Sequence, residues 1–300
     1  MKTILIVDGD GLLARSHFAT GKDIFTKDNV EVGGVDKAIR VLMRQLDMWN
    51  AEYLFVAFDP WNRNTVRHRE YAQYKANREP KPEGLVHSKK ILMPILESMG
   101  AVIALDEDYE ADDLVGAMVH RTSPANLVDD GDTWQAVVSS HDKDLLGLTD
   151  YAHVVVSPPF QTETLRAKDV ETKLGIVPAR IMDYLALLGD SVDNIPGVDQ
   201  CGKTRAAALL QKYGTLEAIV AAAQRGEIAK KLGDALRSQG NRAIAFRDVM
   251  RLRVDAPIPD PGTCGIGEVK YNQLLPLLLE NNLMALHASG VANAKQAGFL

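Results

Sequence analysis

Five short apolar runs, separated by helical patterns, occupy the first half of the chain: residues 3–7 (TILIV), 53–58 (YLFVAF), 101–105 (AVIAL), 136–140 (AVVSS) and 153–157 (HVVVS). Residues 34–49, 84–100 (interrupted at Pro94) and 110–121 carry the helical spacing between them. Runs this short, alternating with helices, predict a mostly parallel central sheet with helices on both faces, an α/β fold. From about Leu165 the strands stop, and Gly- and Pro-punctuated helical patterns follow at 179–189, 203–214 and 216–226. Residues 255–267 read as a loop, and 272–290 as a last, Pro-broken helical segment. The expected division is an α/β part over 1–175 and a helical part over 176–300, with no internal repeat.

Three hundred residues, 46% of them apolar and 25% charged, suit an ordinary soluble globular protein. No apolar run approaches the roughly 20 residues that cross a bilayer. Met1-Lys2-Thr3 leads straight into a strand, unlike a signal peptide. Cys201 and Cys264 lack disulfide or zinc spacing. The expectation is a reducing, cytoplasmic or nucleoid-associated setting, neither secreted nor membrane-bound. A net charge of −6 argues at first against nucleic acid. Between Pro60 and Gly100, however, eight basic residues face four acidic ones. A solvated helix face is the plain alternative for that run.

The acids fall where the strands end. Asp8 follows the first run and Asp59 the second; Asp142 and Asp144 follow the fourth; Glu110, Asp112 and Asp113 open the helix beyond the third. In an open parallel sheet the carboxyl ends of the strands converge on one crevice. The spacing therefore predicts one dense carboxylate cluster, repulsive unless neutralised. Hard divalent cations such as Mg²⁺, which take oxygen ligands, would neutralise it. Asp8, in "IVDGDGL" (6–12), could equally be a nucleophile, a metal ligand or a turn residue. With Asp190 and Asp193 included, setting the nine acids aside leaves a mildly basic remainder.

Two motifs point elsewhere. "LLGDSVDN" (187–194) behind Asp8-Gly9-Asp10 suits a haloacid-dehalogenase-type phosphatase, with Ser139 or Ser140 as its middle-strand hydroxyl. That reading leaves Asp142, Asp144, the 110–113 acids and the basic segment without roles. "GVDQCGKT" (197–204) fits the Walker A pattern, but a P-loop needs a strand to deliver it, and a helical pattern precedes Gly197. What remains at 184–214 is helix, Gly-containing turn, helix, a unit that can present backbone N–H groups to a phosphate without reading bases.

Together "IVDGDGL" (6–12), "VRHREYAQYKANR" (66–78), "YEADDLVG" (109–116), "SSHDKDLLGL" (139–148) and "GDSVDNIPGV" (189–198) resemble the 5′ nuclease family, which comprises flap endonucleases and the 5′–3′ exonuclease domain of bacterial DNA polymerase I. The resemblance runs in order from residue 3 to about 290, including "FRDVMRLRVDAPI" (246–258). It implies a metal-dependent nuclease domain over 1–175 with a helical arch at about 62–95, and a helix-hairpin-helix-type DNA-binding subdomain over 176–300. Asp8, Asp59, Glu110, Asp112 and Asp113 would surround one Mg²⁺, and Asp142, Asp144, Asp190 and Asp193 a second; Mn²⁺ would substitute. Lys75 and Arg78 match the catalytic basic pair. Arg67, His68 and Tyr74 would handle substrate, and Gly197, Gly202, Lys203 and Thr204 the duplex. The implied substrate is DNA with a 5′ single-stranded end or flap, cut by a monomer. Two readings remain beside it: a non-catalytic, structure-specific DNA-binding protein, and the phosphatase.

The chain departs from the family pattern at three places. Gln200 and Cys201 replace the hairpin's usual Gly-Ile, and the Lys-Thr pair sits one place early, which puts the hairpin's customary K⁺ in question. Asp10 stands where the family varies and reads as a turn residue. The chain stops near the point where a polymerase I would continue, so a stand-alone nuclease is expected.

Overall fold

The computed structural model describes residues 1–19, 24–27, 29–62, 64–126 and 133–286. Its centre is a five-stranded, all-parallel sheet of order β3-β2-β1-β4-β5, formed by β1 (Lys2–Asp8), β2 (Tyr53–Phe58), β3 (Val102–Leu105), β4 (Trp134–Ser139) and β5 (Val154–Val156). Ile4, Leu5, Ile6 and Val7 are all fully buried, as expected of a strand covered on both faces. Its register is fixed on both sides, with Val7 opposite Val56 in β2 and opposite Ser139 in β4. The chain builds outward from β1 through β2 to β3, then returns to the far side of β1 for β4. The crevice at the carboxyl ends of β1 and β4 is thus the switch point of the sheet.

Successive side chains alternate between two cores. Ile4, Ile6, Phe55 and Val138 face one core, shared with α5 (Ala111–Arg121) and the helices that follow. Leu5, Val7, Val56 and Phe58 face the other, with α1 (Gly9–Ala19), α2 (Gly33–Trp49) and α4 (Glu83–Ser98). Each such large apolar side chain contributes about 1.5–3 kcal/mol on burial, enough in aggregate for the sheet to tolerate a repulsive acidic rim.

Several elements differ from the sequence expectation. Residues 9–19 form α1, entered directly from β1 with no turn between them. Both glycines of Asp8-Gly9-Asp10-Gly11 are required by close approach: a Cβ on Gly11 would lie 2.1 Å from an Asp8 carboxylate oxygen, and one on Gly9 2.6 Å from the Phe58 ring. Pro94 does not interrupt α4, because Ile91, Leu92, Ile95 and Leu96 are buried around it and outweigh one lost backbone bond. Between β2 and α4 lies the short α3 (Val66–Glu70) and a run of turns.

Beyond the sheet, α6 (Ala167–Leu174), α7 (Ile181–Leu188), α8 (Lys203–Tyr213), α9 (Leu216–Gln224) and the 21-residue α10 (Lys230–Met250) form the helical part. A small antiparallel ribbon, β6 (Gly189–Asp190) with β7 (Ile195–Pro196), interrupts what was expected to be strand-free. The last segment is α11 (Tyr271–Glu280) and α12 (Met284–Leu286); Pro276 lies within α11, and the break falls at Asn282, whose φ is +57°. Leu274, Leu278, Leu283 and Leu286 pack into the core containing Leu5 and Leu42, so the chain returns to the α/β part. Residues 287–290 of the expected helical segment lie outside the described residues. Among the described residues no helix is long and apolar enough to cross a membrane.

Candidate active site

The rim of the sheet gathers the carboxylates into two adjoining clefts with Lys75 and Arg78 in the wall of both. One, of about 460 Å³, is lined by Asp8, Asp112, Asp142, Asp144, Asp190 and Asp193. The other, of about 400 Å³, holds Asp10, Asp59 and Glu110.

In the first cleft Asp8 ends β1 and accepts the Gly11 N–H at 2.8 Å, which fixes its rotamer over the glycine. Ser140 donates its hydroxyl to Asp8 at 3.1 Å and accepts the Asp142 N–H at 2.9 Å, coupling the ends of β1 and β4. Asp112, in the first turn of α5, is charge-coupled to Asp142, Asp8 and Asp144. Burial, then the neighbouring Asp59, Asp10 and Asp142, pushes Asp8 up to about 7. Burial, then Asp142, pushes Asp144 up to about 7 as well, although Lys143 opposes it. Asp112 is raised by burial and by Asp142, Asp8 and Asp144. One Asp144 carboxylate oxygen is buried without a hydrogen-bond partner. Asp144, Asp190 and Asp193 each bring an oxygen within 4.8 Å of the others. The β6–β7 ribbon makes this possible, with the Val192 and Asp193 N–H groups both pointing at an Asp190 oxygen. Lys143 pairs with Asp190 at 2.8 Å, and despite burial its charge draws Asp190 below the usual carboxylate range.

The second cleft is already neutralised by the chain itself. Lys81 reaches Asp10 at 2.7 Å and Asp59 at 3.4 Å. Lys89, only 4% exposed, meets Asp10 at 2.9 Å and the Asp59 carbonyl at 2.6 Å. Asp10 also accepts the Asp59 N–H, and Asp59 the Ala111 N–H. Burial alone would raise Asp59, yet Lys81, Lys75, Lys89 and that N–H bring it down to about 2. Asp10 is therefore no turn residue: it sits in the first turn of α1 as the hub of an ion lattice joining β1, β2 and the basic segment.

Lys75 is held in the left-handed region at φ +52°, where a non-glycine residue is strained. Its N–H donates to the Asp193 carbonyl at 3.0 Å, and its ammonium reaches both Glu110 oxygens at 2.8 Å. Burial opposes the Lys75 charge, but Glu110, Asp193 and Asp59 raise its pKa and keep it cationic. Arg78 pairs with Asp193 at 2.6 Å. His68 accepts or donates at 2.8 Å to Thr65 and packs edge-on against Tyr74.

Three expected roles need correction. Arg67 cannot handle substrate: it is 3% exposed, grips Asp113 with both terminal nitrogens, contacts Glu110 at 3.2 Å and donates to the Val249 carbonyl at 3.1 Å. Tyr74 is equally interior, its hydroxyl between Glu110 at 2.9 Å and Asp193 at 3.0 Å. Asp113 is no metal ligand, because its oxygens are taken by Arg67 and by the N–H groups of Glu110 and Arg253. Its position i+3 from Glu110, completing a capping box at the start of α5, was the available signal.

Sequence reasoning also missed Lys81, Lys89 and Lys143 as partners of the acids, Ser140 as a bridge, and Arg205 and Arg242 beside the hairpin. The lysines lay inside the counted basic run or between two acids, where charge alone suggested solvent. His141, next to Asp142, stacks on Phe160 and hydrogen-bonds the Pro159 carbonyl, not a carboxylate. Ser139 is buried and donates to Gln45, which takes it from the phosphatase scheme.

The hairpin lies remote in sequence. Gly202 caps α8 without a side-chain hydrogen bond, and Gly202, Lys203 and Thr204 are exposed. Gly197 packs against Leu188 and Gly189 backbone, where a Cβ would lie 2.3 Å from the Leu188 carbonyl. Gln200 adopts φ +65°, a left-handed conformation that the family's glycine would take without strain. Its carbonyl accepts from Arg205 at 2.6 Å. The two-residue β7, not a strand of the central sheet, precedes this loop, so it is not a P-loop.

Comparison with known proteins bears on the whole constellation. Residues 3–175 match the 5′-3′ exonuclease N-terminal resolvase-like domain, and residues 176–273 the 5′-3′ exonuclease C-terminal SAM fold. A 5′-3′ exonuclease of Aquifex aeolicus is 33% identical over 220 residues, covering 73% of this chain and 73% of that protein. A DNA polymerase I of Caldicellulosiruptor bescii is 34% identical over 221 residues, 72% of this chain but 25% of that protein's length. Among solved structures, a bacteriophage T5 flap endonuclease in a pseudo-enzyme-product complex with DNA and metal ions superposes with a TM-score of 0.65 at 17% identity, over 93% of this chain and 99% of that one.

Proposed function

The chain belongs to the 5′-3′ exonuclease family, and from that premise we propose that it hydrolyses DNA phosphodiesters at 5′ ends, flaps and single-strand/duplex junctions, using Mg²⁺ with Mn²⁺ as a substitute. The observation that carries this reading is the excess of carboxylates at the switch point of the sheet, where Asp8, Asp112, Asp142 and Asp144, with Asp190 and Asp193 alongside, outnumber the cations Arg15, Lys75, Arg78 and Lys143 in the same wall. Carboxylates held above their ordinary pKa by burial and mutual repulsion, one with an orphaned oxygen, are a donor set for hard dications. Bound there, divalent ions would supply Lewis-acid stabilisation of the scissile phosphate and a water nucleophile at neutral pH.

The chain's own groups do the rest. Lys75 and Arg78 stand where charge builds on the phosphoryl oxygens and are fixed in advance, by a strained backbone and by Glu110 and Asp193, so no reorganisation is required during reaction. Arg67, Tyr74 and Asp113 form a buried frame that orients Glu110. Ser140 keeps Asp8 and Asp142 in register. At the hairpin, the exposed N-terminus of α8 suits a duplex phosphate. The Gln200 carbonyl already meets the Arg205 guanidinium, so the positive charge there is built in and the reading assigns K⁺ no necessary part. The T5 protein's DNA and metal complex supports the same substrate class. We take the active species to be a monomer selecting substrate by shape.

A labelled 5′-flap duplex incubated with Mg²⁺, and in parallel with EDTA, tests the reading. Cleavage is expected only with Mg²⁺, with a blunt duplex of equal sequence cut far more slowly. Equal rates on flap and blunt duplex, or undiminished cleavage in EDTA, would refute it.

A further inference from the structure

The cleft containing Asp10 and Asp59 has a wall the carboxylates do not explain. Trp61 lines it and is 52% exposed, although an indole is a costly group to leave in water. Its ring is not loose: the Lys89 ammonium sits 4.6 Å from its centroid, and that ammonium is buried and pinned by Asp10 and by the Asp59 carbonyl. The same charge lies 5.2 Å from the Phe58 ring, in the core of the sheet. An exposed aromatic plane is thus anchored, through one buried cation, to the rigid end of β2.

The rest of the lining says what that plane would meet. Lys75, Arg78, Lys81 and Lys89 are matched in number by Asp10, Asp59, Glu79 and Glu110, so the cavity carries little net charge and is a poor receptor for a phosphate. Pro60, Leu85 and Val86 add an apolar wall. Its volume of about 400 Å³ lies within the roughly 300–1,000 Å³ of small-ligand sites. A flat, uncharged, polarisable group with hydrogen-bonding edges matches these properties, and an unpaired nucleobase is such a group. Lys75 and Arg78 also line the catalytic cleft, so a base seated here belongs to a nucleotide close to the reacting phosphate.

We propose that this cavity is a nucleobase subsite for the single-stranded 5′ side of the substrate, with Trp61 as its stacking platform and Asp10 and Lys89 as the residues that position the ring. The proposal rests on the nuclease reading above.

The test is single-turnover cleavage of a 5′-flap series with Mg²⁺, each member carrying one abasic nucleotide at a successive flap position, on wild type, Trp61→Ala and Trp61→Phe. In wild type one abasic position should raise the half-saturating protein concentration roughly tenfold, the worth of one base–aromatic stack. Trp61→Ala should show that rise on intact DNA, gain nothing further from the abasic site, and keep its saturating rate. Trp61→Phe should recover part of the loss. An abasic pattern identical in wild type and Trp61→Ala, or unchanged half-saturation in Trp61→Ala, would overturn the subsite alone. A wild-type protein that leaves every flap uncut would bring down the nuclease reading and the subsite with it.

Discussion

The two halves of the acidic rim contain similar residues and have opposite electrostatics. Around Asp59 and Asp10, lysines 75, 81 and 89 supply cations from the chain itself, and Asp59 falls to about 2. Around Asp8, Asp112 and Asp144, six lining acids outnumber the four cations Arg15, Lys75, Arg78 and Lys143, and burial with mutual repulsion takes Asp8 and Asp144 up to about 7. Glu110 and Asp113 side with the first group through Lys75 and Arg67. The difference separates two uses of a carboxylate. In one half, acids are paired within the chain: they tie the basic segment to the sheet and hold Lys75 in place. In the other, acids are kept under burial and mutual repulsion that Lys143 and Lys75 offset only in part, and an outside cation would relieve the rest.

The largest test of the paired half is Arg67→Ala. It strands Asp113 as a buried charge without a cation, while Glu110 keeps Lys75 and Tyr74, a loss of about 3–5 kcal/mol, read from urea unfolding. A loss below about 1 kcal/mol would mean that Asp113 is not framework. Next comes Lys75→Ala, expected to lower the single-turnover rate on a 5′ flap by about 10²–10³. Its stability should change little, because Glu110 keeps Arg67 and Tyr74. A rate within threefold of wild type would remove Lys75 from catalysis.

Which acids belong to which half was not legible in the sequence. Their convergence was, because strand ends in a parallel sheet must share one edge. The phases of Asp112 and Asp113, adjacent on α5, were the difficulty. One turns to the open cleft and the other to Arg67, and that choice depends on Arg67 folding inward to reach backbone carbonyls of residues 249 and 251, some 180 positions away. Local pattern carries no trace of such a contact. The α1 helix was hidden for a different reason: Asp-Gly-Asp-Gly has turn chemistry, and the glycines are there for close packing instead. α10 lies in a stretch given no helical expectation from the sequence, and its Gly240 likewise serves close packing, against the Val220 side chain.

The pH dependence of the metal-free protein separates the halves again, with a smaller effect. Asp8 and Asp144, raised from 3.8 to about 7, stabilise the fold most below pH 4, and that contribution is lost as pH rises through 7. Asp59, lowered to about 2, contributes stability above pH 4 that is lost only as pH falls toward 2. Between pH 4.5 and 7.5 in EDTA, Tm should therefore fall by several degrees. Added Mg²⁺ should flatten the slope by binding the ionised form. A slope that is the same with and without Mg²⁺ would mean that the raised carboxylates are not the ones that take up the ion.

The smallest expected change is also the one on which the two halves differ in sign. Asp112→Asn removes one charge from a group in which Asp142, Asp8 and Asp144 already repel it, while keeping nearly the same shape. In EDTA at pH 7.5 it should stabilise the fold, by about 0.5–2 kcal/mol, the range of substitutions that relieve strain at a functional site. The same variant should lose most of its Mg²⁺-dependent gain in Tm and most of its cleavage. Asp113→Asn, one residue along, should do the reverse in EDTA, because Arg67 would keep its charge in a buried site with a neutral partner. Thermal melts of the two variants side by side in EDTA decide the matter. If both shift in the same direction, neighbouring acids of α5 are not divided between framework and ion binding, and the contrast between the halves of the rim fails at its boundary.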